Sequence, residues 1–442
     1  VKPVAVVGAG WSGLACAVEL AQAGLPVALL DAAPQAGGRA RRVDLPLGDR
    51  CYPLDNGQHL LIGAYRDTLA LMQRVGVAVE PAFVRLPFAL RYPDGFVLAA
   101  GRAPAPLHLA WALLTARGLT WPERWAMVRW VEHCKRTRWT VTPDRPAIDL
   151  LRDNPSRLVQ RLWQPLCIAA LNAPLEQASA QVFLTVLRDS LGADAASSEL
   201  LLPRGDLSAL LPDAALAFLA ARGATVRLRW PVQSLQWQDD GWHLTCRGDT
   251  LDAAAVVLAL PPERAAPLLA GTGLAALTPA AAQLLALDSA PIVTVYLRYE
   301  EGRRLAHPVY ALRDDPAVEA YGQWVFDRGA LDRRCAGVLS VIVSAAGPLG
   351  AVAHHDLSRA VAAQLSRELG LPAPAATRVV EDKRATIVPA PGLVRPPARL
   401  PVERLLLAGD AADSAYPSTL EGSVRSGLAA ARALLADPAI GA

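Results

Sequence analysis

The sequence predicts an α/β fold: a domain built on a parallel sheet, with a second, α+β domain inserted into it in two segments. Three observations carry that expectation. Val4 to Val7 form a short apolar run of buried-strand type, followed by the turn Gly8-Ala9-Gly10-Trp11-Ser12-Gly13 and by Leu14, Val18 and Ala21 at helical spacing as far as Gly24. A second apolar run ends in Asp31, eighteen residues past Gly13. A third, Leu405 to Ala408, leads into Gly409-Asp410 only near the end of the chain, so the first domain must be assembled from separated segments.

The glycine turn comes first because its chemistry is the most specific. Gly8 permits the tight turn and Gly10 lets backbone approach a pyrophosphate. Gly13 lets the helix lie close to the strand, with its N-terminal N–H groups facing an anion. Asp31 stands close to where an acid binds a ribose hydroxyl. A glycine turn alone is weak evidence; the strand before it, the helix after it and the acid ending the next strand make a dinucleotide site. Beyond it, Asp31-Ala32, a short spacer and Gly37-Gly38-Arg39 resemble the second-strand acid and Gly-Gly-Arg of the amine oxidase and phytoene desaturase class of FAD proteins. The resemblance implies FAD as cofactor, with Gly37 and Gly38 near its pyrophosphate and Arg39 supplying positive charge. The expected architecture is then a Rossmann-like FAD-binding domain of residues 1–80, 203–288 and 395–442, with a substrate-binding domain of residues 81–202 and 289–394.

Composition bounds the alternatives. At 442 residues the chain can bury a large core. A net charge of +3 is too mild to suggest nucleic acid. Mean hydropathy of +0.24 is high and raises the question of a membrane span. The longest uncharged stretch, Ala265 to Leu287, is interrupted by Pro267, Gly271, Gly273 and Pro279, as loops and short helices would be. A strand beginning at Val4 leaves no room for a signal peptide ahead of it. The six cysteines have no CxxC or metal-like spacing, so no metal is expected, and they suit a reducing cytosol.

After Arg39 comes Asp55-Asn56-Gly57-Gln58-His59-Leu60-Leu61-Ile62-Gly63-Ala64-Tyr65, an apolar run carrying a compact polar group that a plain strand would not need. It closely resembles the squalene-associated FAD-dependent desaturase family, the bacterial hydroxysqualene dehydroxylases. In the wider class this segment lies against the flavin, which implies Asn56, Gly57, Gln58 and His59 as cofactor neighbours. His59 reads equally well as a hydrogen-bonded loop histidine.

From about Pro81 to residue 200 the chain becomes rich in Trp, Leu and Arg. Between Pro104 and Val141, Trp111, Trp121, Trp125, Trp130 and Trp139 are interleaved with six basic residues against Glu123 and Glu132. Such a segment suits the interface of an anionic bilayer, or else an amphipathic helix packed on its own domain. Trp163-Gln164-Pro165-Leu166, Ala169-Ala170-Leu171-Asn172 and Ala178-Ser179-Ala180 again look like the same family, and as structure they read as helices closing an apolar cavity.

Leu202 to Leu207 marks the return to the nucleotide domain, with strands expected at Thr225 to Leu228 and Val232 to Leu235. Trp242 to Cys246 and Ala253 to Leu260 should continue the same sheet as far as Pro261-Pro262. The resemblance places an adenine contact at the backbone of Val232. Ser289 to Tyr299, Gln323 to Gly329, Val338 to Ser344 and Glu381 to Thr386 should form a sheet under the ligand cavity.

The last segment is the other half of the flavin site. Gly409-Asp410 ends a strand where the class binds the ribityl hydroxyls, and Glu421-Gly422-Ser423-Val424 open a helix whose N-terminus favours negative charge on the flavin. Relatives often carry Trp-Thr after Gly-Asp, whereas Ala411-Ala412 stand here.

The family resemblance implies the reaction: hydroxysqualene would lose its hydroxyl and gain hydride from reduced FAD, giving squalene for hopanoid or other triterpenoid synthesis. Cleaving the carbon–oxygen bond needs an acid, for which His59 is the first candidate and Tyr416 and Glu421 the alternatives. A substrate this apolar implies an enzyme that is cytoplasmic but peripheral to the inner membrane. The sequence has no second nucleotide fingerprint, which leaves the reductant of FAD unidentified. A carotenoid-type desaturase or an amine oxidase is the nearer rival, although Ala290 to Tyr296 lacks the lysine that amine oxidases usually carry near the flavin. A carrier of GDP-dissociation-inhibitor type is the non-catalytic rival, and the intact flavin motifs argue against it.

Overall fold

The computed structural model describes residues 1–101, 107–350, 352–412 and 416–441. The start of the Pro104 to Val141 segment lies outside the described residues.

Five short, wholly parallel strands form the central sheet, in the spatial order Thr225–Arg227, Val27–Leu30, Val4–Val7, Ala255–Leu258, Leu405–Leu407. Four of them are fully buried apolar runs, as strands covered on both faces must be. On one face lie the first helix, Trp11–Gln22, and the last long helix, Leu420–Leu435. They cross closely because Gly427 has no side chain: a Cβ there would stand 2.0 Å from the Ser12 carbonyl oxygen. On the opposite face the helices Pro262–Gly271 and Thr278–Leu285 pack with Trp242, Leu244 and Leu258.

Two sequence expectations are corrected in this layer. Gly241–Cys246 does not extend the parallel sheet but forms a separate antiparallel one with Ser234–Gln238 and Asp249–Ala253. The chain reverses after a few residues at each step, which suits hairpins, whereas a parallel neighbour needs a longer crossover. Val232 lies ahead of Ser234–Gln238 rather than in a strand, and its backbone makes no hydrogen bond among the described residues.

The inserted region holds a five-stranded antiparallel sheet, ordered Val309–Ala311, Trp324–Asp327, Val338–Val343, Ser289–Arg298, Ala376–Ile387. One face packs on the helix His354–Leu369. From the other, Trp324 and Phe326 meet a helical lobe that includes Trp121–Arg136, Gln164–Leu171 and Ala180–Ser190. Between the expected segments, Leu200–Pro203 pairs with both Leu61–Ile62 and Phe83–Leu86, so a small sheet spans the boundary residues 80/81 and 202/203. Among the described residues, no helix is long and apolar enough to cross a membrane.

The tryptophan-rich segment divides. Glu123 accepts from the Thr120 N–H and hydroxyl, at 2.7 and 2.9 Å, and so starts the helix Trp121–Arg136. Its inner face buries Met127, Trp130 and Cys134, and Trp139 is buried beyond its end. Its outer face leaves Trp121 63% and Trp125 64% exposed, beside Trp111 at 56% and Leu114 at 63% on the preceding helix.

Candidate active site

The elements carrying the glycine motifs converge at the N-terminus of the first helix. Gly8 has φ +107°, and a Cβ at Gly13 would meet the Gly8 carbonyl oxygen at 1.8 Å, so only glycine lets the helix approach the strand this closely. The second turn is stitched to the first: Gly37 donates its N–H to the Ala9 carbonyl at 2.8 Å, and Gly10 pairs with Gly37 as in a parallel bridge. Trp11 buries its ring and gives its indole N–H to the Ala40 carbonyl at 2.8 Å, which makes its side chain a brace between the turns.

Asp31 follows its strand, and its two carboxylate oxygens accept from the Ala9 N–H at 2.5 Å and the Ala33 N–H at 2.7 Å. This fixes the carboxylate at the edge of the glycine turn with lone pairs left for a further donor. Ala32 beside it is exposed. Arg39 reaches the last segment, pairing with Asp410 at 2.8 Å and donating to the Ala385 carbonyl at 2.9 Å. Burial pushes the Asp410 carboxyl up, but the neighbouring Arg39 guanidinium more than offsets it and holds the group below its ordinary value. Gly409 donates its N–H to Ser426 Oγ at 2.9 Å.

The cradle bounded by Gly10, Gly38, Ser12 and Gly409 fits a bound pyrophosphate. A Cβ placed on Gly10 or Gly409 would find nothing nearer than 3.9 Å. Ser12 Oγ is buried and meets no partner among the described residues, as a donor waiting for a phosphate oxygen would be. The first-turn N–H groups of the helix point to the same place.

The Asp55 to His59 loop is held by the substrate-side sheet. Tyr296 donates its hydroxyl to the Asp55 carbonyl at 2.8 Å, and Gln58 donates its N–H to Thr294 Oγ1 at 3.2 Å. Gln58 accepts from Ser340 Oγ at 2.9 Å and donates to the His59 carbonyl at 3.0 Å. Its side chain is therefore a clamp on the loop. Asn56 is similarly engaged, accepting from the Arg41 N–H at 3.3 Å. His59 is half-buried beside Gly57, with Nδ1 2.8 Å from the Gly57 carbonyl, so Nδ1 carries the proton and Nε2 is left as an acceptor in the neutral ring. Burial lowers its pKa, which leaves the ring neutral at neutral pH.

Glu421 requires the largest correction. It is fully buried, and its oxygens accept from the N–H groups of Asp67 at 3.2 Å and Thr68 at 2.9 Å, from the Thr68 hydroxyl at 2.7 Å and from Arg425 at 2.8 Å. The carboxylate serves the N-terminus of the helix Arg66–Arg74, and no lone pair remains for a flavin or a substrate. Val424 is likewise core, packed between the first and last helices, while Gly422, where a Cβ would stand 2.6 Å from the Pro417 carbonyl oxygen, and Ser423 lie in the first turn of the last helix. Tyr416 donates its hydroxyl to the Asp189 carboxylate, and burial raises its pKa.

Two groups escaped sequence reasoning. Asn172 takes a left-handed conformation, φ +50°, at the end of Gln164–Leu171. It donates to Thr386 Oγ1 at 2.9 Å and accepts from the Ala345 N–H at 2.6 Å, locking the helical lobe to the sheet. Its signal was an asparagine directly after a helical run. Asp55, Asp206 and Arg328 form a buried charged group between the two regions, with Asp55 accepting from the Leu207 N–H at 2.8 Å. Its trace in the sequence is Asp327-Arg328 closing an apolar strand.

Above the sheet, the helical lobe encloses an apolar cavity of about 280 Å³, lined among others by Phe88, Met127, Trp130, Trp139, Trp163 and Leu187. It lies directly beneath the helix that exposes Trp121 and Trp125.

Residues 11–435 match the family described as flavin containing amine oxidoreductase. The chain is 31% identical to a hydroxysqualene dehydroxylase of Rhodopseudomonas palustris, covering 98% of this chain and 99% of that one, and 29% identical to one of Sinorhizobium fredii, covering 99% of each. Among solved structures, cyclohexylamine oxidase of Brevibacterium oxydans superposes with a TM-score of 0.68 at 19% identity over 98% of both chains. An oxidoreductase of Methanosarcina mazei gives 0.73 at 15% identity, covering 97% of this chain and 99% of that one. The chain belongs to the flavin containing amine oxidoreductase family and is an FAD-dependent oxidoreductase.

Proposed function

We propose that this enzyme removes the hydroxyl of hydroxysqualene, an allylic C30 alcohol, and releases squalene, a precursor for hopanoid or other triterpenoid synthesis. The observation that carries this reading is the end-to-end similarity to two hydroxysqualene dehydroxylases. In the reaction a carbon–oxygen bond breaks, a carbon–hydrogen bond forms, and the oxygen leaves as water. Reduced FAD, when bound, supplies the hydride. The chain must supply the proton, exclude bulk water and hold an apolar skeleton, for which the tryptophan-lined cavity is suited.

His59 remains the first candidate for the acid, with a condition that its geometry imposes. Nε2 can donate only when the ring is protonated, and burial lowers the pKa. The single-turnover rate should therefore rise as the pH falls through a value below that of a free histidine. His59→Ala should keep FAD bound and reducible while slowing the reaction roughly 10²–10⁴-fold. An unchanged rate would pass the role to Tyr416, whose hydroxyl keeps its proton across this range.

A substrate this apolar resides in the bilayer. The exposed Trp111, Leu114, Trp121 and Trp125, together with the net positive charge of their segment, favour peripheral contact with an anionic membrane directly above the cavity. The reading is tested by reducing the holoenzyme without oxygen, adding hydroxysqualene and assaying for squalene. Reduction of oxidised FAD by a carotenoid hydrocarbon would instead support a desaturase, the activity named for a relative in Synechococcus elongatus that is 25% identical over 99% of this chain.

A further inference from the structure

The hairpin of Ala89–Arg91 and Val97–Ala99 borders a second, polar pocket of about 370 Å³, open to solvent and lined among others by Arg91, Tyr92, Val97, His307, Tyr310 and Glu368. The Arg91 guanidinium, the His307 imidazole and the Tyr310 hydroxyl have no hydrogen-bond or ion-pair partner among the described residues, and none of them is sealed from solvent. His307 stands against Tyr310, 5.5 Å between ring centroids. Burial and the Arg91 charge both lower the His307 pKa, so the two basic groups are neighbours, a juxtaposition that a shared anion relieves. The acids nearby are already engaged. Asp94 is paired with Arg161 and accepts from the Phe96 N–H at 3.2 Å. Glu368 accepts from Gln364 Nε2 at 2.9 Å and from the Arg313 N–H at 3.3 Å, and burial raises its pKa. Backbone pairing sets this pocket at the foot of the tryptophan patch. Arg91 pairs with Val97 across the hairpin, and Val97 exchanges backbone hydrogen bonds of 3.1 and 2.8 Å with Arg117. Arg117 lies in the link between the helix that exposes Trp111 and Leu114, Leu107–Thr115, and the helix that exposes Trp121 and Trp125, Trp121–Arg136. Residues paired across strands point to one face, so Arg117, exposed and unpaired among the described residues, stands on the side of Arg91. The other face of the hairpin, with Leu90, Phe96 and Leu98, is core.

Resting on the proposed membrane contact, we infer that this pocket binds the phosphate of an anionic phospholipid, with Arg91, His307 and Tyr310 donating to its oxygens while the tryptophans enter the bilayer beside it. Tryptophan rings settle at the level of the headgroups, so cations at the foot of a tryptophan patch meet the phosphate layer. Arginine suits a phosphate because its planar fork gives two N–H groups to one anion. A neutral imidazole still has one N–H to give, and an anion beside it favours gain of the second proton. The pocket adds recognition of a charged headgroup to a contact that the tryptophans alone would make with any bilayer.

The experiment measures binding of the holoenzyme to vesicles of phosphatidylcholine alone and of phosphatidylcholine mixed with phosphatidylglycerol, and takes the ratio of the two affinities. Wild type should prefer the anionic vesicles. Arg91→Gln, with its melting temperature checked, should lower that ratio about fivefold or more, the loss of one cation at a lipid phosphate, and His307→Ala should lower it as well. Arg378→Gln removes an exposed arginine from the strand at the far edge of the same five-stranded sheet and should leave the ratio as it is. Replacing Trp121 and Trp125 by Ala should weaken binding to both vesicles and preserve the ratio. Equal binding of the two vesicles by wild type, or an undiminished ratio in both Arg91→Gln and His307→Ala, overturns the headgroup pocket while leaving the membrane contact standing. If that undiminished ratio comes with inorganic phosphate, at fixed ionic strength, raising the melting temperature of wild type but not of Arg91→Gln, the pocket takes a free anion and the lipid assignment falls. Failure of wild type to bind either vesicle overturns the membrane reading and this inference with it.

Discussion

Asp31 and Glu421 look alike in the sequence, each an acid beside a glycine motif, yet the structure gives them different work. Asp31 holds the Ala9 and Ala33 N–H groups and keeps acceptor capacity toward the cradle. A charge-assisted bond from a ribose hydroxyl is worth roughly 1.5–3 kcal/mol. Asp31→Ala should therefore weaken FAD retention by tens of fold or more, measured as flavin content after dialysis, and normal retention would remove Asp31 from the cofactor site. Glu421 instead ties the helix Arg66–Arg74 to the last helix. Glu421→Gln would turn an amide N–H₂ toward donors and leave Arg425 without its buried partner. We expect about 2–3 kcal/mol of destabilisation, read as a lower melting temperature, with the single-turnover rate of the folded holoenzyme preserved. A selective loss of rate with unchanged stability would restore Glu421 to the chemistry.

Loops and helices show where the sequence was legible. Turn motifs are local, and the first strand, the first helix and the last helix form where glycine turns and apolar periodicity place them. What could not be read was which long-range partner each polar side chain takes. Gln58 faces Ser340, Arg39 faces Asp410 and Glu421 faces Thr68, all across hundreds of residues. The tryptophan helix illustrates the same limit: its composition announced an amphipathic element, but only packing separates the buried Trp130 from the exposed Trp121 and Trp125. The Asp55 loop gives a test at this scale. Burial, partly countered by Arg328, raises the Asp55 carboxyl to about 7, against roughly 3.9 in an unfolded chain. The folded state therefore holds this proton longer, and the associated stability is fully present below about pH 4 and lost as the pH rises toward neutrality. Asp55→Asn retains an acceptor for the Leu207 N–H and should flatten the denaturation midpoint over that window, whereas an unchanged slope would place the titration elsewhere.

At the scale of the molecule, three chain segments build the parallel sheet and its glycine turns, and the inserted region sets an apolar cavity beneath an exposed patch of tryptophans. If that patch is the membrane contact, replacing Trp121 and Trp125 by Ala should lower binding to anionic vesicles, and salt should weaken what binding the wild type shows. Unchanged vesicle binding would make the helix a packed surface element and no more. The central claim is that this arrangement delivers hydride to an alcohol. Its most direct measurement is a single anaerobic turnover: holoenzyme reduced to completion, mixed with excess hydroxysqualene, followed at the flavin absorbance band and quenched for product. Reoxidation of the flavin is expected, with one equivalent of squalene formed per flavin. Flavin that stays reduced, or reoxidises without squalene, would contradict it.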